Sequence, residues 1–79
     1  MPETAFILAA HGTADPRGLR EATNLAAGIR ALRPHLPIRL AYLEKADPDL
    51  ATALDWGAAR APTVVLVPLF LNSGTHLDE

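Results

Sequence analysis

Apolar residues follow two alternating spacings along this chain. Thr4–Ala10 form an almost unbroken apolar run that ends at a glycine-containing turn, the pattern of a strand covered on both faces. Ile38–Leu43 and Thr63–Leu71 repeat it, the last with Val64, Val65 and Val67. Pro68 removes one ladder donor from the third run, which predicts an edge strand or a place where pairing ends. Between the first two runs, apolar positions recur every three or four residues at Leu19, Ala22, Leu25, Ala26, Ile29 and Leu32, with Arg20, Glu21, Asn24 and Arg30 on the other side. That spacing predicts an amphipathic helix from Leu19, ending before Pro34 and Pro37. Asp15-Pro16-Arg17 ahead of it reads as a turn, and His35 as a surface turn residue. Asp47 suits the N-cap and Pro48 the first position of a second helix. Its buried stripe begins with Leu50 and Leu54, Trp56 reads as a packing residue, and the helix stops near Arg60, ahead of Pro62.

Strands that alternate with helices imply parallel pairing through right-handed crossovers. The expected fold is α/β, a parallel sheet sandwiched by helices in the order β-α-β-α-β, as in half of a doubly wound sheet. Residues 1–79 would form a single domain. Two helices cannot cover three strands well, so the third strand is expected to be an unprotected edge. The domain is therefore expected to be C-terminally incomplete, without a last helix and strand, or to be completed by a partner.

Composition narrows the chemistry. At 79 residues, folding buries only about 60–65% of the unfolded chain's surface, yet hydrophobic residues make up 49%, enough for a core. A net charge of −2 with scattered Lys and Arg offers no basic field for nucleic acid. With no cysteine, there can be no disulfide or thiolate metal site, so any metal must rest on imidazole or oxygen ligands. No apolar stretch approaches the length of a membrane span, and the expected setting is cytoplasmic. Gly12, Gly18 and Gly74 form neither GxGxxG nor a Walker loop, so nucleotide binding has no support.

Chemistry-bearing residues sit just past the strand ends. His11 follows the first run, Glu44 the second, and His76 the third, after Asn72-Ser73-Gly74-Thr75. If the runs are parallel strands of one sheet, all three stand at its carboxyl edge, where open α/β sheets bind ligands. Two imidazoles and a carboxylate can hold a divalent ion such as Co²⁺, Fe²⁺, Ni²⁺ or Zn²⁺ and leave coordination positions open. Imidazoles also exchange protons near neutral pH. Each residue has a plainer reading as well: a turn imidazole for His11, a solvated strand-end charge for Glu44. A phosphoryl-transfer role for His11-Gly12 lacks the arginine that histidine phosphatases place directly before that pair, since Ala10 stands there.

Together these segments resemble the class II tetrapyrrole chelatases, the short sirohydrochlorin cobaltochelatase and ferrochelatase group. His11-Gly12-Thr13-Ala14-Asp15-Pro16-Arg17 is similar to their HGSRDPR opening, Leu43-Glu44 to their FLE segment, and Val67-Pro68-Leu69-Phe70-Leu71 with Gly74 and His76 to their VPLFL...GGH motif. Thr13 and Ala14 depart from the usual Ser and Arg, and Thr75 breaks the usual Gly-Gly pair. The resemblance implies a chelatase-like, flavodoxin-like fold and a lyase that inserts Co²⁺ or Fe²⁺, with Ni²⁺ a further candidate, into sirohydrochlorin for cobalamin or sirohaem biosynthesis. No other cofactor is implied. His11, His76 and Glu44 would hold the metal and act in catalysis, while Arg17, and after it Lys45, would anchor peripheral carboxylates of the tetrapyrrole. Ser73, Gly74 and Thr75 would let the backbone approach a flat macrocycle. The resemblance also implies a homodimer, with no nucleic-acid or membrane partner. The alternatives are a non-catalytic metal- or tetrapyrrole-binding module on the same fold and a purely structural oligomerisation unit.

Overall fold

The computed structural model describes residues 2–69. Their order is β1 (Thr4–Ala10), α1 (Pro16–Leu32), β2 (Ile38–Tyr42), α2 (Leu50–Ala58) and β3 (Thr63–Pro68). The three strands form one parallel sheet in the order β2-β1-β3, so the α/β architecture expected from the spacing is present. Register pairs Ala10 with Tyr42 and Ala9 with Pro68. All three strands thus end at one edge. Pro68 lies in an edge strand and closes its ladder, both places where a missing N–H costs little.

The chain steps from β1 outward to β2 and then back across β1 to β3. Crossovers of one hand that run in opposite directions must lie on opposite faces, and the core divides accordingly. Ile7 and Ala41 bury Ala53 of α2, with Leu50, Trp56 and Val64 packed around them. On the other face Leu8 and Ile38 meet Ala26 of α1, and Ala10 and Tyr42 meet Ala22. Odd and even residues of β1 therefore face different helices, as the two-residue period of a strand requires. Ile7 is fully buried, worth about 1.5–3 kcal/mol on an area basis.

Small residues bring the helices close. Gly18, Ala22 and Ala26 form the buried line of α1, while Leu25 and Leu32 of the predicted stripe lie on its exposed flank. In α2 the buried positions are Ala53 and Gly57. Leu54, expected in the stripe, is instead exposed, because the face that meets the sheet runs through Leu50, Ala53, Trp56 and Gly57. Trp56 does pack, and its indole also carries the guanidiniums of Arg39 and Arg60, 4.6 and 4.5 Å from the ring centroid. Arg60 in addition donates to the Trp56 carbonyl at 3.0 Å. His35 lies in an exposed turn, as expected. Val65 and Leu66 of β3 remain 37% and 46% exposed, consistent with the unprotected third strand. Among the described residues no helix is long and apolar enough to cross a membrane.

Two helix starts differ from the expectation. α1 begins at Pro16, not Leu19: Asp15 is its N-cap, its carboxylate accepting from the Arg17 N–H at 2.9 Å, and Pro16 fills the first position. The supposed turn is the cap itself. α2 is capped by Asp49 rather than Asp47, the Asp49 carboxylate accepting from the Thr52 N–H at 2.9 Å. Asp47 and Pro48 are excluded from the helix because the Pro48 carbonyl accepts from the Tyr42 N–H at 2.9 Å, which ties this segment back to β2.

The hydroxyl of Thr52, then its backbone N–H, hold the exposed Asp49 carboxyl below the ordinary carboxylate range. A depressed folded value means that the charged cap contributes fully above the unfolded value and is lost as pH falls through the folded one. Asp49→Ala is therefore expected to lower the Tm by a few degrees at pH 7. Asp49→Asn, which keeps an acceptor but no charge, should lose less than Asp49→Ala there and still melt below the parent. The advantage of the parent over Asn should shrink between pH 5 and pH 3 in thermal melts followed by circular dichroism; equal pH dependence for the two proteins would refute a charged cap.

Candidate functional site

His11 and Glu44 meet at the carboxyl edge of the sheet. The parallel ladder continues one step past the strands, with Leu43 N–H donating to the Ala10 carbonyl at 2.9 Å and Glu44 N–H to the His11 carbonyl at 3.1 Å. That step sets both side chains at the same level. His11 Nε2 lies 3.1 Å from Glu44 Oε2, with the two side chains 77% and 48% exposed. The pair is open to solvent and so accessible to an incoming ligand.

Gly12 makes the approach possible. Its φ is +111°, a region that L side chains rarely adopt, and a β-carbon there would overlap the carbonyl oxygen of Glu44. Only glycine lets the turn after β1 lie against the turn after β2. On the other side, Tyr42 and Asp49 form an isolated parallel bridge, so residues 43–48 leave the sheet and return to it. The segment includes a cis Asp47–Pro48 peptide and Lys45 at φ 67°. Lys45 Nζ stands 3.9 Å from Glu44 Oε2.

The next residues lead into α1. Thr13 Oγ1 accepts from the Asp15 N–H at 3.0 Å, which shapes the turn between His11 and the helix. Arg17, expected near the site, lies in the first turn of α1 with its side chain exposed and Nη2 4.0 Å from Asp15 Oδ2. Arg17 thus stands at the same sheet edge beside the capped start of α1, where Asp15 already takes the Arg17 and Leu19 N–H groups.

Of the expected residues, the structure brings His11 and Glu44 into contact and keeps Arg17 at the same edge. Among the described residues no third His, Cys, Asp or Glu joins the pair in a cluster able to hold a metal. His76, Ser73, Gly74 and Thr75 lie outside the described residues. Sequence reasoning misses the part played by Gly12, for which a Gly directly after a strand-end His is the available signal. Lys45, which the resemblance names as a second anchor after Arg17, stands beside Glu44 in a segment where its φ is positive, a conformation that a lysine in the sequence does not signal.

A sheet of order β2-β1-β3, with helices on both faces and a His–Glu pair at the strand ends, defines a flavodoxin-like α/β protein, a class whose ligands are generally held at the carboxyl edge of the sheet. Comparison with known proteins carries this further. The CbiX family model matches residues 5–79. The sirohydrochlorin cobaltochelatase of Methanococcoides burtonii is 32% identical over 81 residues, an alignment that covers 100% of this chain and 62% of that protein. No solved structure matches the chain. The chain belongs to the CbiX family, and it spans less than two thirds of the curated relative's length.

Proposed function

We propose that this protein is a chelatase that inserts a divalent cation, Co²⁺ or Fe²⁺, into sirohydrochlorin, with the metal and the tetrapyrrole as its two substrates. The observation that carries the reading is the His11–Glu44 pair, 3.1 Å apart at the carboxyl edge of two adjacent parallel strands. Family membership and the name of the Methanococcoides relative support it.

The chemistry asks three things of the protein. It must replace part of the metal's hydration shell, hold the ion against the macrocycle, and accept the two pyrrole protons that the metal displaces. An imidazole and a carboxylate suit the first two, as ligands of borderline divalent ions. The same groups suit the third, because each can take a proton within hydrogen-bond reach. His76 would act with them as second imidazole. Arg17 would bind peripheral carboxylates of the macrocycle by charge-assisted hydrogen bonds, with Ser73, Gly74 and Thr75 offering backbone close to its plane. No redox step or further cofactor enters this scheme.

The test is the absorbance of sirohydrochlorin followed anaerobically with Co²⁺ or Fe²⁺, with and without the protein. Insertion well above the spontaneous rate, lost in His76→Ala, is the expected result. Tight binding of metal or tetrapyrrole with no acceleration would overturn the enzymatic reading and leave a binding module on the same fold.

A further inference from the structure

We infer that Lys45 is a built-in counter-ion of Glu44, displaced from it by the incoming metal and thereby released to bind the anionic second substrate. The inference rests on the reading of His11 and Glu44 as metal ligands and adds an order to it: the cation prepares the site for the polyanion.

Lys45 lies in the bent segment 43–48 that leaves β2 and returns to it. Its φ of 67° is left-handed, at a cost of about 1–2 kcal/mol for a residue with a β-carbon. In that conformation its ammonium lies 3.9 Å from the same Oε2 that His11 Nε2 approaches at 3.1 Å. One carboxylate oxygen is therefore shared between the imidazole and the ammonium. A divalent ion taking that oxygen brings a second positive centre close to Nζ, and the repulsion favours departure of the lysine, whose side chain is 61% exposed and free to swing. The edge then carries the cation, the released ammonium and Arg17, a charge pattern suited to a macrocycle ringed by carboxylates. Such coupling is reciprocal: whatever the cation adds to tetrapyrrole affinity, the tetrapyrrole adds to the cation's.

Removing the ammonium should therefore have opposite effects on the two substrates. In Lys45→Met, isothermal titration with Co²⁺ alone at low salt should show binding about two- to five-fold tighter than in the parent, the size of one exposed ion pair. The KM for sirohydrochlorin should rise instead, by a similar factor. Lys45→Arg should restore both values, and the Co²⁺ difference should vanish near 1 M salt, where the Debye length is about 3 Å. A purely structural role would worsen both constants together and persist in high salt. Glu44→Gln separates the two levels of the argument. If it weakens Co²⁺ binding while Lys45→Met changes neither constant, or moves both in the same direction, the counter-ion role is wrong and the site stands. If Glu44→Gln leaves Co²⁺ binding unchanged, the site reading and the role of Lys45 fall together.

Discussion

Gly12→Ala is expected to cost about 2–3 kcal/mol or more of stability and to separate His11 from Glu44. Two independent penalties meet at this position. The φ of +111° lies in the region that only glycine occupies freely, and the added methyl would overlap the Glu44 carbonyl oxygen. Neither can be relieved by a small shift, because the two turns are held together by the Leu43 N–H to Ala10 carbonyl bond and the Glu44 N–H to His11 carbonyl bond. The chain can accommodate the methyl only by giving up the second of these, about 0.5–1.5 kcal/mol in itself, and with it the alignment of the His11 and Glu44 side chains. For a domain of this size each kcal/mol lowers the Tm by about 4–8 °C, so a thermal melt should fall by roughly 10 °C or more. Calorimetric Co²⁺ binding at a temperature where the variant is still folded should weaken as well. A variant that melts within about 2 °C of the parent and binds Co²⁺ equally well would show that the turn repacks and that the close approach is dispensable.

That dependence on one backbone torsion marks the boundary of what the sequence discloses. The strands begin where the apolar runs begin, at Thr4, Ile38 and Thr63; β1, the strand buried on both faces, needs apolar side chains in both directions and so leaves an unbroken run. The shared carboxyl edge followed from parallel pairing alone, and it placed His11 and Glu44 correctly. Their contact depended on more: on β2 lying next to β1 rather than across from it, and on the ladder running one step beyond the strands. Helix starts were less legible. The same Asp-Pro signature occurs twice, and only at Asp15-Pro16 does it open a helix; at Asp47-Pro48 a long-range bond from Tyr42 to the Pro48 carbonyl overrides it and passes the cap to Asp49. Local propensity yields there to a contact that no window of sequence contains. Lys45 is the extreme case, a residue whose backbone angle is dictated by the segment that must return to β2.

His11→Ala and Glu44→Gln, alone and combined, are expected to divide catalysis from folding in a way that Gly12→Ala cannot. Both side chains are exposed and neither belongs to the core, so each substitution should change stability by no more than about 0.5 kcal/mol. Each should nevertheless lower the rate of metal insertion by about 10²–10⁴-fold, the range of a proton-transfer group acting in the transition state. The two side chains lie 3.1 Å apart, close enough to act as one unit in holding the ion and receiving the pyrrole protons. Their losses should then overlap, the double variant being little slower than the worse single one, as in other catalytic constellations that work together. Anaerobic insertion rates for the four proteins, read beside their melting temperatures, provide the cycle. Multiplicative losses would mean that imidazole and carboxylate serve separate steps, with Glu44 at delivery of the metal and His11 at removal of the protons. Full activity in either single variant would remove that residue from the chemistry and reduce the contact between them to a surface ion pair of the kind that contributes little.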